Sequence, residues 1–281
     1  MRAADGLRRA GFRLGATSYV VPAGWADNVE RLQGLESDVE VLLFEADGEG
    51  ALPDARECAR LAQLRAAAGL SYSLHTPLAA SLASADEARR QGSVALVLRA
   101  IDAARAFAPE LFVVHVYFGD AEHDPAPPRD IAAFRARARR SLEALLAAGI
   151  EPSRLCVELL DYDFALIEPV IAELGLSVAL DVGHLERDGL DVLAWLERLL
   201  PHTAAIQWHG TQPGGRDHRS LRHYPEAKAL ALLEALLVRD YRGVLTLEVF
   251  DAVDLEESLA LVHGWLARLG ARAVLPSELS P

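Results

Sequence analysis

Short apolar runs recur along this chain, and seven successive ones each close on an acid or a histidine. They are VEVLLFE ending at Glu45, SYSLH at His75, LFVVH at His115, LCVELL around Glu158, SVALD at Asp181, AAIQWH at His209 and VLTLE at Glu248. Each has the length and composition of a strand buried on both faces. An earlier run, RLGATS over residues 13–18, makes an eighth. The seven closing residues are separated by 30, 40, 43, 23, 28 and 39 positions, about one strand–helix unit each. An ionisable group at the end of a buried strand is costly unless it is paired or holds a metal. Seven in step therefore predict a ring of ligands at one end of a barrel.

The segments between the runs carry helical patterns with recognisable ends. Pro53 suits a first helical turn, and Gly69 closes that helix before the next strand. Ser84, Ala85, Asp86 and Glu87 read as a capping box ahead of the stretch to Phe107. Gly149, Gly175, Gly243 and Gly270 each end a helical segment. From Ala26 onward the pattern gives eight helices, the last running from Leu255 to Leu269. Strand and helix alternating eight times predict a single α/β domain, a (β/α)8 TIM barrel over residues 13–270, with an extension over 1–12 and a tail over 271–281. An open doubly wound sheet carries a glycine-rich phosphate turn after its first strand, and GATSYVVPAG lacks it.

Residues two apart on a strand share a face. If the seven closing residues point into the mouth, the layer beneath is Leu43, Ser73, Val113, Cys156, Ala179, Gln207 and Thr246. Cys156 reads there as a buried, inert thiol. Cys58 falls in a helical segment, so the only two cysteines form no disulfide framework and a reducing cytoplasm is expected. No apolar stretch approaches the roughly 20 residues that span a bilayer, and the first residues lack the apolar core of a secretory signal. The net charge of −13, from 28 basic and 41 acidic residues, weighs against nucleic acid as a partner and for a small molecule.

Carboxylates and imidazoles at the C-terminal ends of barrel strands favour a divalent ion such as zinc, manganese or iron. Seven groups exceed the needs of one tetrahedral ion, so two ions sharing a bridging carboxylate are expected. In Asp181-Val182-Gly183-His184 the glycine lets the chain turn so that His184 faces the same mouth. The polar segment after the seventh strand, HGTQPGGRDHRSLRHYP, holds Arg216, Asp217, His218, Arg219, Arg222 and His223, a basic island suited to a phosphate or carboxylate. The loop after the fourth strand carries Tyr117 and Phe118. With Tyr162 and Tyr224, they offer aromatic walls for a large ligand. No serine elbow, catalytic Cys/His pair or Walker loop is present.

Histidines after the third and fourth strands, Glu158, the D-V-G-H turn, His209 and Glu248 resemble the metal site of the endonuclease IV and xylose-isomerase-like barrels (AP endonuclease family 2), over roughly Arg13 to Leu269. Within that superfamily, GATSYVVPAGWADNVERL, DVEVLLFE and SYSLHTPL look most like the cobamide-remodelling phosphodiesterases. The resemblance implies hydrolysis of the nucleotide-loop phosphodiester of a cobamide, giving cobinamide phosphate and the riboside of the lower base. It implies one metal on His75, His115 and Glu158, and another on Glu158, Asp181, His209 and Glu248, with Glu158 bridging. It makes Glu158, Glu248 and Glu45 the catalytic carboxylates. Arg216, Arg219, Tyr117, His184 and His218 are expected to face the substrate. The endonuclease builds a further metal site from the D-x-x-H histidine and an Asp-x-His pair. Here Asp217 and His218 are adjacent, and Arg216 stands where that aspartate would align. A sugar isomerase or epimerase, using Glu158, Asp181, His209 and Glu248 around one manganese, and an abasic-site endonuclease are the competing readings.

Overall fold

Eight parallel strands close on themselves, each followed by helix. The computed structural model describes residues 7–34, 37–44, 51–118, 130–160, 162–275 and 278. The barrel strands are β1 (Arg13–Thr17), β2 (Asp38–Leu42), β3 (Ser71–His75), β4 (Leu111–Val114), β5 (Leu155–Glu158), β6 (Ser177–Asp181), β7 (Thr203–Trp208) and β8 (Val244–Leu247). Each pairs with the next, and β8 returns to β1 with Thr246 beside Gly15. Arg8 and Arg9 pair in parallel with Ala271 and Arg272, tying the two ends of the described chain together.

The helices are α1 (Trp25–Leu32), α2 (Ala55–Ala68), α3 (Glu87–Ala104), α4 (Ile131–Ala147), α5 (Glu168–Leu174), α6 (Val182–Arg187), α7 (Val192–Leu199), α8 (Glu226–Val238) and α9 (Ala252–Arg268). Among the described residues this is one more than the pattern predicts, because the D-V-G-H turn forms the short helix α6 by itself. The capping box also shifts: Asp86, not Ser84, caps α3, accepting from Ala88 N and Arg89 N. Asp54 caps α2, leaving Pro53 just outside it. Gly243 ends no helix. It lies where strands meet, and a Cβ there would overlap the Ala204 carbonyl and the Tyr241 ring.

Strand alternation divides the core in two. Outward residues such as Leu14, Val41, Leu74, Val157, Ile206 and Leu247 pack under the helices. Inside lies a smaller cluster of Leu111, Val113, Cys156, Ala179, Ala205 and Val244. Of the expected inner layer, Val113, Cys156 and Ala179 are in this cluster, and Ser73 and Gln207 turn inward to Asp38 and Glu40. Leu43 does not. It belongs to the outer core, because the inward residues of β2 have even numbers. Asp38 turns in and accepts from Ser71 Oγ at 2.5 Å and Ser73 Oγ at 2.9 Å. Glu40, opposite Ser73, turns in above it. Cys58 and Cys156 are both free and buried, and burial pushes the Cys156 thiol up to about 12.

The connection from β1 to α1 is fixed by one buried side chain. Asn28 Oδ1 accepts from Val20 N and Val21 N at 3.0 Å, while its Nδ2 lies 3.1–3.2 Å from the carbonyls of Val21, Ala23 and Gly24. Replacing Asn28 by Ala strands these backbone groups away from water. The expected loss is roughly 2–3 kcal/mol of stability, read as a lower denaturant midpoint at unchanged m-value.

Candidate metal centre

All six ligand candidates within the described residues arrive at the same end of the barrel. His75, Glu158 and Asp181 are the last residues of β3, β5 and β6, while His115, His209 and Glu248 directly follow β4, β7 and β8. Each is at most 6% exposed. Glu45 lies outside the described residues.

On one side, two imidazoles converge on a single carboxylate oxygen. Glu158 Oε2 lies 3.2 Å from His75 Nε2 and 2.9 Å from His115 Nε2. The far nitrogens are fixed by other partners: His75 Nδ1 by the Thr76 carbonyl at 3.0 Å, and His115 Nδ1 by the Tyr117 hydroxyl. A carbonyl only accepts, so His75 Nδ1 carries a hydrogen. Its Nε2 then turns a lone pair toward Glu158 unless a proton or a cation lies between them. Burial opposes charge on these groups, but the contacts with His115 and His75 outweigh it and hold Glu158 well below the usual carboxylate range. Burial likewise opposes protonation of His75, yet Glu158 and Glu40 raise its pKa.

The other side is built on α6 and a hairpin. Asp181 caps α6 by accepting from His184 N at 2.8 Å, and its Oδ2 lies 2.8 Å from His184 Nδ1. Against the cost of burial, Asp181 lifts the His184 imidazole to about 11. His209 Nε2 is 3.5 Å from Asp181 Oδ1. After β7, Gly210–Gln212 pairs antiparallel with Arg216–Arg219, turning at Gly214 and Gly215, both with positive φ. The hairpin brings His218 N to 3.1 Å from His209 Nδ1, and His218 Nδ1 to 3.6 Å from Glu248 Oε2. Burial, then the neighbouring His209, push the His218 imidazole down to about 4. Burial and the nearby Asp181, Glu158 and Glu40 push Glu248 well above its ordinary range.

Ligand atoms of four trios lie within 4.8 Å of one another: His75/His115/Glu158, Glu158/Asp181/His184, Asp181/His209/Glu248 and His184/His209/His218. Glu158 therefore belongs to sets on both sides. His209 Nε2 and Glu248 Oε2 are buried with no hydrogen-bond partner. A divalent cation meets that need, so these residues fit the metal the sequence implies. His75, His115, Glu158, His184, His218 and Glu248 line a cavity of about 120 Å³, also lined by Tyr117, Arg187, Phe44 and Phe250.

The substrate-facing candidates separate. His184 and His218 line the cavity. Tyr117 lines it too, but its hydroxyl engages His115. Arg216 is exposed on the hairpin. Arg219 turns to α9, where NH2 lies 3.0 Å from the buried Asp254 carboxylate. Among the expected aromatic walls, Phe118 packs on Tyr162 with ring centres 4.1 Å apart, and Tyr162 donates to the Val116 carbonyl. Tyr224 is no wall: it is buried edge-on against Trp208.

Gln207 lies one layer below the ligands as expected, while Glu40 and Arg187 are site residues beyond those expected from the sequence. Gln207 Nε2 lies 3.4 Å from both Glu40 Oε1 and Glu158 Oε2, connecting the mouth to a second carboxylate inside the barrel. Burial pushes Glu40 up to about 7. The alternation of DVEVL was the available signal, because it places both acids on one face. Arg187 follows His184 by three positions on α6, hence on the same helix face. It lines the cavity and donates to Asp217 Oδ2 at 2.8 Å.

A family model described as xylose isomerase-like TIM barrel matches residues 37–269. The chain belongs to that family. No curated protein sequence matches significantly. Among solved structures, a D-tagatose 3-epimerase-like protein superposes with a TM-score of 0.74 at 16% identity, covering 92% of this chain and 98% of its own. Endonuclease IV from Thermus thermophilus gives 0.66 at 21% identity, covering 91% and 99%. The E. coli 3-keto-D-glucoside 4-epimerase YcjR gives 0.65 at 14%, covering 92% and 99%. At such identities the likeness is one of fold.

Two substitutions test the site. A Cβ at Gly183 would overlap the His209 ring. Gly183→Ala should therefore displace that imidazole and weaken metal retention about 10–100-fold, the scale seen when a ligand loses its support. Glu158→Gln removes the charge common to two trios, and should lower the metal-to-protein ratio while far-UV circular dichroism stays unchanged. Normal metal content in Glu158→Gln would remove its bridging role.

Proposed function

We propose that this chain is a metal-dependent phosphodiesterase that hydrolyses the nucleotide-loop phosphodiester of a cobamide, releasing cobinamide phosphate and a lower-base riboside. The observation that carries the reading is Glu158, one carboxylate that belongs to two trios of candidate ligands, with His75 and His115 on one side and with Asp181 and His184 on the other. His75, His115 and Glu158 would hold one ion; Glu158, Asp181, His209 and Glu248 would hold the other, zinc or manganese in each case. Two such ions activate a water and stabilise the oxygen leaving a phosphoester.

The chain's own groups act around that set. Thr76 and Tyr117 fix the orientation of His75 and His115. Arg187 adds positive charge at the cavity wall, and Arg216 adds an exposed charge on the hairpin that carries His218. A lone phosphodiester carries one negative charge, which such local groups can match. A duplex presents phosphates far beyond the scissile bond to a protein of net charge −13. That balance favours a small substrate over abasic DNA. An epimerase working with a single ion has no task for two imidazoles converging on Glu158 from β3 and β4.

Protein prepared without chelator should contain about two divalent ions per chain, cleave a complete cobamide, and lose that activity in EDTA. It should leave abasic duplex DNA and ketoses unchanged. Efficient incision of abasic DNA beside an intact cobamide would replace this reading with the endonuclease, and ketose epimerisation would replace it with the isomerase.

A further inference from the structure

A second cleft opens beside the metal centre, and its chemistry is unlike that of its neighbour. Its volume is about 590 Å³, and Phe44 and Phe250 line both spaces. Beyond them it is walled by Ser18, Tyr19, Ala23, Gly24, Trp25, Leu42 and Ala51, with no charged side chain lining it among the described residues. An uncharged wall of this extent is notable beside a mouth crowded with acids and imidazoles.

The shared rings form a continuous path outward from the ligands. Phe44 stands edge-on to His75 with ring centres 4.9 Å apart, and edge-on to Phe250 at 6.0 Å. Phe250 stacks on His218 at 4.8 Å with planes 28° apart, and meets Tyr19 at 6.4 Å. Tyr19 is 57% exposed. The Trp25 indole is held by a bond from Nε1 to the Leu42 carbonyl at 2.8 Å. Asn28 fixes the loop from Val20 to Gly24. The wall is thus preformed, and Ala23 and Gly24 lie exposed at its edge. Preformed, mostly apolar clefts of several hundred Å³ are what flat organic ligands occupy.

We infer that this cleft is the subsite for an uncharged planar ring system of the substrate, joined to the ester that reacts at the neighbouring ligands. The inference rests on the phosphodiesterase reading for what occupies the mouth, but the cleft's preference for a neutral ring follows from its own walls. In a cobamide either of two parts has that chemistry, the lower base or the corrin, and binding distinguishes them.

The experiment is isothermal titration of the metal-loaded protein with two separate probes, a benzimidazole riboside and dicyanocobinamide. At least one should bind. Tyr19→Ala, at an exposed position, should weaken it about three- to ten-fold, the range one aromatic contact contributes. Ala23→Glu, which places a charge at the edge of the cleft, should weaken it at least as much, with metal content unchanged in both variants. A response confined to the riboside assigns the cleft to the base, and one confined to cobinamide assigns it to the corrin. Binding by neither probe, or equal binding by wild type and both variants, overturns the subsite. If ring binding responds to the variants while no cobamide is cleaved, the subsite stands and the proposed reaction falls. Cobamide cleavage with unchanged KM in both variants overturns the subsite and leaves the reaction standing.

Discussion

Four buried carboxylates, Glu40, Glu158, Asp181 and Glu248, project into one end of a closed barrel, and the remaining features of the mouth answer their mutual repulsion. Two like charges about 4 Å apart repel by roughly 4 kcal/mol at an effective dielectric constant near 20. The chain has two responses. It brings imidazoles against Glu158 and Asp181, which keeps those two ionised. Among the described residues it leaves Glu40 and Glu248 without a cationic side chain in hydrogen-bonding contact, and burial raises both pKa values. The outcome is a set of carboxyls of one residue class with widely separated proton affinities. A divalent ion entering between them replaces a repulsion by an attraction, so the cost of burial becomes selectivity for cations.

That concentration is possible because strand period and barrel closure force it. In parallel register every second residue of every strand points inward, and the C-terminal ends form one rim. The groups beyond the strands need further devices. Asp181 is at once a ligand candidate and the cap of α6, so the helix that carries His184 and Arg187 starts from the site itself. Gly183 leaves room for the His209 ring, and the two glycines of the hairpin fold Asp217 and His218 back over it. Removing any of these would move ligands without touching the barrel.

The sequence therefore disclosed the part of the site that follows strand periodicity. His75, His115, Glu158, Asp181, His209 and Glu248 could be read as one rim because each closes an apolar run. Reading failed at β2, where VEVLLFE is apolar at too many positions to reveal its inward face. Leu43 was placed inside and Glu40 passed over, although the alternation of Asp38, Val39, Glu40 and Val41 held the answer. Arg219 was legible as a cation but not as the partner of Asp254, since nothing local records which helix packs across the hairpin. Phe44 and Phe250 carry no local signal of their contact, and only barrel closure brings them together from opposite ends of the chain.

Closure also makes the mouth asymmetric. From β3 to β7 its rim is made of imidazoles and carboxylates, whose solvation a metal or an ion can replace. Outside Glu40 and Glu248, the described lining beside β1, β2 and Phe250 is aromatic and uncharged, with Phe44 and Phe250 at the boundary. A ligand that fills only the polar part leaves the aromatic wall in water, and a purely apolar ligand leaves the buried carboxylates uncompensated. The arrangement is best satisfied by a molecule that is charged at one point and flat and neutral beside it. Under the proposed function, the phosphodiester meets the polar part and a ring of the substrate meets the aromatic wall. The shape of the mouth and the charge balance of the chain are two independent supports for that proposal.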